Sequence, residues 1–428
     1  MKVKRSRATL AINGGPKSVK KPFSRFNTIG AREALAVLSV LKTGVLSQFL
    51  GENHPDFFGG PKVQEFEKKS AEYFGVKHAI TVNSWTSGLI CAVGAIGIEP
   101  GDEVILPPWT MSATAMAILH WNAIPIFADI SDKDYCLDPA DVRRKITPKT
   151  RAIFAVDIFG NSAPMKELRE IANEFNLKLI CDTAQSPGAN YEGRVAGTLA
   201  DIGGISLNYH KHIHTGEGGV LFTNDDELAL RMKLIRNHGE SVVEGMGISR
   251  IDNIIGYNFR LGEIEAAIGM VQLGKLSKVI IKKQWIANAL TGELRNLPGL
   301  VTPKISWDLE HVYYVYPLQL IPEKAGFGRS ELVNALRAEG LSNIGVGYRL
   351  LHTLPIFKQK KAYGNEGFPF TQRQTDIKYE LGQFPVAERL HNETFFCIGI
   401  TGLDLSKRDV SRIGQAFRKV WTGLNNNG

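Results

Sequence analysis

The chain reads as an α/β protein, a mainly parallel sheet sandwiched by helices, with a smaller α+β domain at its C-terminal end. Two observations predict this. Between residues 78 and 223, seven short apolar runs alternate with helical patterns, as strand–helix–strand units do when helices cover both faces of a sheet. Beyond residue 300 the pattern loosens into short strands mixed with helices. The 428 residues leave room for two or three domains, and 43% hydrophobic with 22% charged residues is ordinary globular composition.

Taken in order, residues 1–30 read as an N-terminal arm. Its head, Met1-Lys2-Val3-Lys4-Arg5-Ser6-Arg7, is basic, but the apolar stretch that follows is stopped by Gly14-Gly15-Pro16. That is too short for a signal peptide, and no later run reaches membrane-spanning length. A solvated tail is the expected state of the head. Residues 31–41 carry apolar side chains at helical spacing, and 43–60 form an irregular stretch rich in glycine and aromatics. From Pro61 the helical period returns, with Val63, Phe66, Ser70, Tyr73 and Phe74 on one face and Gly75 as the C-cap.

The apolar runs at 78–82, 103–106, 123–130, 151–159, 178–181, 201–207 and 219–223 are the predicted strands. Helical patterns at 164–175 and 226–237 are among the segments around them. Residues 262–294 are helical in pattern and carry the chain out of a large domain assigned to 31–290. Pro298-Gly299 then punctuates the chain. The small domain, 291–428, is expected to hold a strand at 313–321, helices at 330–339 and 409–424, and a frayed tail at 425–428.

The net charge of +8, from 51 basic and 43 acidic residues, is too thinly spread for a nucleic-acid binder, though it would welcome an anionic substrate. Cys91, Cys136, Cys181 and Cys397 show no CxxC or metal spacing and lie in or beside apolar segments. They read as buried thiols of a reducing, cytoplasmic protein, with no membrane or nucleic-acid partner.

The chemistry is concentrated in Ser206-Leu-Asn-Tyr-His-Lys-His-Ile-His-Thr-Gly-Glu-Gly-Gly219, where Lys211 stands among three histidines between two apolar runs. Burial beside a sheet lowers a lysine's pKa and suits it to act as nucleophile or proton carrier; a solvated surface ammonium is the plain alternative. Upstream, the run 177–181 ends in Asp182-Thr183-Ala184-Gln185. Ligands of parallel α/β sheets bind beyond such strand ends, and a carboxylate there pairs with a ligand cation or caps the following turn. Together, an aldehyde-capturing lysine and a carboxylate for a pyridinium nitrogen are what pyridoxal phosphate requires of a protein.

On these motifs the chain resembles the DegT/DnrJ/StrS family, the pyridoxal-phosphate-dependent sugar and cyclitol aminotransferases of fold type I, from about Arg32 to the C-terminal region. Ser206 and Lys211 have the family's spacing of phosphate-binding serine and cofactor-bonding lysine. Asp182 matches the carboxylate that keeps the pyridine nitrogen protonated, and Gln185 the partner of the ring hydroxyl. Asn83-Ser84-Trp85-Thr86-Ser87-Gly88-Leu89 stands where the family has Ser-Gly-Thr-x-Ala-Leu. Ser84 and Thr86 match, while Trp85 replaces the glycine that allows close backbone approach to the phosphate; a Ser/Thr helix cap explains the same residues structurally.

Pro107-Pro108-Trp109-Thr110-Met111 matches a motif whose last residue is an aromatic stacked on the ring. Here Met111 packs there through its sulfur, or Trp109 swings in, or both are core. Gly256-Tyr-Asn-Phe-Arg260 matches a segment whose asparagine reaches the phosphate of the neighbouring subunit. Asn258 therefore implies a homodimer with shared active sites, against the plain reading of a turn asparagine. The pair His238-Gly239 is read as structural.

On an extended strand, His210, His212 and His214 would share one face and could take Zn²⁺, although packing or substrate contact is the favoured reading. The resemblance implies a ping-pong aminotransferase with L-glutamate or L-glutamine as donor and a nucleotide-linked keto sugar or a keto-cyclitol as acceptor. The segment Leu10–Gly15 is similar to the cyclitol and antibiotic-sugar branch. Two rivals keep the fold: a sugar 3-dehydratase, which has histidine in place of the lysine, and a non-catalytic regulatory protein, which Trp85 and Met111 keep in view. A metal hydrolase is a distant fourth. Substrate choice is expected in the loops at 44–60 and 345–355, with His352 as a contact.

Overall fold

The computed structural model describes residues 9–304, 309–372 and 377–425. The basic head lies outside the described residues, as do the last three residues of the predicted tail; Asn425 ends the final helix.

The central sheet is built from β1 (His78–Val82), β2 (Glu103–Leu106), β3 (Ile124–Phe127), β4 (Thr150–Val156) and β5 (Lys178–Asp182). A two-residue-per-strand hairpin, β6 (Asn190–Tyr191) and β7 (Arg194–Val195), follows, and then β8 (Ile202–Ser206) and β9 (Gly219–Thr223) complete the sheet. Its order is β1-β9-β8-β5-β4-β2-β3. The pairs from β3 through β8 are parallel, whereas β9 runs antiparallel to both neighbours. The strands are buried almost throughout because helices cover both faces. Since β9 returns beside β8, residues 207–218 form a tight connection at the carboxyl end of β8. The same end of the sheet carries Asp182, the last residue of β5.

The predicted strands at 123–130 and 151–159 are longer than those observed. Their last residues leave the ladder and turn towards the strand ends, with Phe159 in the left-handed region at φ 61°. The helices form as their periodicity demands: α1 (Ala31–Leu41), α2 (Pro61–Phe74), α3 (Trp85–Ala95) and α4 (Ser112–His120). Gly75 closes α2 at φ 67° with its N–H on the Ala71 carbonyl, a conformation for which glycine has no Cβ penalty. Residues 262–294 form two helices rather than one, Glu263–Leu273 and Leu276–Leu294, separated at Gly274.

The second of these links two apolar cores. Leu276 and Ile280 pack into a cluster against the central sheet, Ile286, Leu290 and Leu294 into a second core. That core surrounds an antiparallel sheet of β10 (Leu300–Val301), β12 (Tyr316–Leu320), β14 (Phe395–Ile398) and β13 (Ile344–Gly345), in that order; β11 (Leu309–Glu310) pairs with β6. The N-terminal arm seals it through Leu10 and Val19, and Ala11 donates its N–H to the Glu339 carboxylate at 2.8 Å. Leu350, Phe357, Phe370, Phe384 and Leu390, although late in the chain, pack into the core of the central sheet. Among the described residues no helix is long and apolar enough to cross a membrane.

Candidate active site

Asp182 is 5% exposed. Its Oδ1 accepts the Trp85 indole N–H at 2.7 Å and the Ala184 N–H at 3.1 Å, and its Oδ2 accepts the Thr114 hydroxyl at 3.0 Å. Beside it lies the fully buried Asp157, which accepts Thr183 Oγ1 at 2.8 Å and the Ala163 N–H at 2.7 Å. Burial first, and the Asp182 charge in addition, push the Asp157 carboxyl up to about 6.

Lys211 sits in the β8–β9 connection with its N–H on the Asn208 carbonyl at 3.0 Å. Its half-buried side chain holds Nζ 4.7 Å from the centroid of the Tyr314 ring, with no hydrogen-bond acceptor among the described residues. Burial pulls its pKa down to about 8, and the Asp182 charge pulls the other way. The lysine and the carboxylate are thus brought into one electrostatic site from the ends of neighbouring strands.

The start of α3 forms the second part. Ser84 is its N-cap, with Oγ accepting the Ser87 N–H at 3.1 Å. The N–H groups of Trp85 and Thr86, in the first turn, have no intrahelical acceptor, and the Thr86 hydroxyl is exposed. Ser206 pairs with Gly219 across β8 and β9, and a Cβ on Gly219 would lie 3.0 Å from the Trp85 Cα. The buried Ser206 hydroxyl, which accepts the Asn208 N–H at 3.3 Å, therefore stands next to the helix start, with no acceptor for its own proton among the described residues. The segment around Asn258 runs along the same rim: Asn83 donates its backbone N–H to the Phe259 carbonyl at 2.8 Å and its side-chain amide to the Asn258 carbonyl at 3.3 Å. The Asn258 side chain is exposed and hydrogen-bonds nothing among the described residues.

Gln185 is buried. Its Oε1 accepts the Phe159 N–H at 2.9 Å and its Nε2 donates to the Tyr348 hydroxyl at 3.1 Å, leaving one amide hydrogen. Tyr348 in turn is hydrogen-bonded to Tyr314. Met111, N-cap of α4, is 52% exposed.

Two expectations are overturned, the shared histidine face and the His352 contact, and of the readings open for Trp109 the core one holds. Trp109 does not swing in; it is fully buried, its indole N–H bound to the Tyr348 carbonyl at 2.7 Å and its ring edge-on to Phe159 and Phe395. The histidines share no strand face, because the β8–β9 connection is a turn. His210 is exposed, His212 is buried with Nε2 on the Val312 carbonyl at 2.9 Å, and His214 accepts the Gly216 N–H at 3.3 Å. Burial holds the His212 imidazole neutral, its pKa down at about 4, and no group of three His, Cys, Asp or Glu among the described residues could hold a metal ion. His352 is no surface contact; it is fully buried between Phe127 and Phe384.

Sequence reasoning missed Thr114, Tyr314 and Tyr348. Thr114 follows the matched motif by three residues and was within reach of a helical-period argument; the two tyrosines come from far along the chain and carry no local signal.

The sequence model described as the DegT/DnrJ/EryC1/StrS aminotransferase family matches residues 46–398. The chain belongs to that family. This aminotransferase is 34% identical over 348 residues to the spore coat polysaccharide biosynthesis protein SpsC of Bacillus subtilis, covering 80% of this chain and 86% of the relative. It is 35% identical over 299 residues to the GDP-perosamine synthase of Caulobacter vibrioides, covering 70% and 79%. Among solved structures it is similar to DesI in the presence of its TDP-sugar product, with a TM-score of 0.80 at 26% identity and 99% of both chains covered. The aminotransferase thus has the α/β architecture of the fold-type I transferases.

Proposed function

We propose that the chain is a pyridoxal-phosphate-dependent aminotransferase that moves an amino group from L-glutamate or L-glutamine to a nucleotide-linked keto sugar or a keto-cyclitol. The observation that carries this reading is the placement of the Lys211 amine, which has no hydrogen-bond acceptor among the described residues, and the buried Asp182 carboxylate beyond the carboxyl ends of the neighbouring strands β8 and β5. A buried carboxylate bonded only by neutral donors is a costly arrangement unless a cation completes it. The donor set around it fits the cofactor: two free N–H groups and two hydroxyls for a phosphate, a carboxylate for a ring nitrogen, an amine for an aldehyde. Replacement of the family glycine by Trp85 leaves those N–H groups free, and Met111 is open to a ligand.

Bound there, pyridoxal phosphate would supply an electron sink for the carbon that loses its proton. Asp182 holds a proton on the ring nitrogen. Gln185 turns its remaining amide hydrogen to the ring oxygen. Thr86, Ser206 and the first N–H groups of α3 bind the phosphate, helped by the helix dipole. Lys211 Nζ, whose lowered pKa makes the neutral amine accessible near neutral pH, would move the proton from the donor's α-carbon to the cofactor's C4′, and from C4′ to the acceptor carbon in the second half of the cycle. Asn258 is assigned to the phosphate of a second subunit, which makes the unit a homodimer. Four buried thiols support a reducing, cytoplasmic setting. Lys211 in the lysine position, with His210 exposed and edge-on to Tyr209, favours transamination over 3-dehydration.

The test is the visible spectrum after incubation with pyridoxal phosphate. A yellow band that bleaches with L-glutamate or L-glutamine, and is missing in Lys211→Ala, is the expected result. A wild-type protein that stays colourless would favour the non-catalytic reading instead.

A further inference from the structure

Resting on the cofactor assignment above, we infer that the Trp85 side chain is a positioning residue for Asp182, its indole N–H holding the carboxylate in one orientation for the ring nitrogen. Trp85 begins α3, so its backbone belongs to the phosphate cradle while its side chain runs under the sheet end to Asp182, with Nε1 2.7 Å from Oδ1. One residue thereby touches both ends of the cofactor site.

The surroundings are shaped for that ring. A Cβ on Gly204 of β8 would come within 2.5 Å of the indole, one on Gly88 of α3 within 3.0 Å, and one on Gly219 of β9 within 3.2 Å of its Cε3. Three backbone segments thus leave out side chains where the indole lies, and Trp85 is only 7% exposed. The ring fills space under the strands and leaves the helix-start N–H groups free.

The electrostatics give the hydrogen bond its weight. Asp182 is buried and shares its neighbourhood with the buried Asp157, whose charge opposes its own. Without the indole, Oδ1 keeps only the Ala184 N–H at 3.1 Å. Hydrogen bonds from neutral donors to a buried carboxylate are stronger than neutral pairs, and a group fixed before binding costs nothing to orient at binding. Thr114 secures Oδ2 in the same way.

The experiment is a double cycle of residue 85 against the ring nitrogen. Equilibrium dissociation constants are measured for pyridoxal phosphate and for its 1-deaza analogue, in which carbon replaces that nitrogen, on wild type and Trp85→Phe. The expected result is about tenfold weaker binding of pyridoxal phosphate by the variant, with the ratio falling to within about twofold for the deaza analogue. Equal loss for both ligands, which a merely structural role would give, overturns the inference, and so does no loss for either. Should Trp85→Phe not fold, 3-benzothienylalanine at position 85, which keeps the shape and lacks the N–H, is measured in the same cycle. Wild type that binds neither ligand would overturn the proposed function itself, and the inference with it; wild type that binds while the cycle shows no coupling overturns the inference alone.

Discussion

Lys211 Nζ and the Tyr314 ring lie 4.7 Å apart, ammonium over aromatic face. Burial disfavours the lysine's charge, while the ring face and the Asp182 carboxylate favour it. The balance leaves the pKa at about 8 instead of the ordinary 10.5, where an amine serves best as a proton carrier near neutral pH.

That balance has a cost in stability that can be measured. The unfolded chain keeps the lysine proton up to the ordinary pKa and the folded chain gives it up near 8, so wild-type stability rises with pH across that interval. Cofactor-free Lys211→Met should therefore be more stable than wild type at pH 7, by up to about 3 kcal/mol. The difference should shrink towards pH 10.5. Urea melts at pH 7 and pH 10 check this; an equal difference at both would mean that Lys211 is not desolvated.

The cradle at the start of α3 makes a separate prediction. Thr86→Val and Ser206→Ala should each weaken pyridoxal phosphate about tenfold, since each removes a donor to a charged group. Neither should change the affinity for pyridoxal, which lacks the phosphate. Parallel absorbance titrations with the two ligands decide it, and equal losses for both would place these hydroxyls away from the phosphate.

One face of α1 packs on the helix Glu263–Leu273, while the other presents Leu35 at 66%, Leu38 at 50% and Leu41 at 48% exposure. Residues three apart on a helix share a face, and a contiguous apolar stripe of this kind marks an association surface. The double variant Leu35→Glu, Leu38→Glu should sediment as a monomer while keeping its circular dichroism. If Asn258 serves the second subunit, the variant should also bind pyridoxal phosphate at least about tenfold more weakly. A variant that remains dimeric would move the interface elsewhere.

Much of this was legible in the order of residues. The runs at 78–82, 103–106 and 219–223 are strands with those bounds, and α1 occupies 31–41 as its periodicity requires. The placement of Lys211 and Asp182 at the carboxyl ends of neighbouring strands was legible too, because each directly follows an apolar run or a short turn after one, and strand ends meet at one edge of such a sheet. The histidine row was misread because alternation was assumed where the chain turns: Leu207 and Thr215 close a loop on each other, so His210, His212 and His214 point apart. His352 was misread, and Trp109 left open, for another reason. A polar or aromatic residue in a loop sequence gives no sign of whether a distant segment covers it, and here Phe384 and the Tyr348 carbonyl do.

By itself the sequence determined most of the strand and helix pattern, the family and the cap at Ser84, and it singled out Lys211, Asp182 and Ser206 as candidates by their local spacing. These follow from the periodicity of the chain and from strand ends, which neighbours along the backbone dictate. Only the tertiary structure decided where the Trp85 indole points, that Thr114 takes the other oxygen of Asp182, and that Tyr314 and Tyr348 close over Lys211 and Gln185. Those contacts join segments up to 163 residues apart, and they depend on how helix and sheet layers settle against each other, which no local pattern encodes.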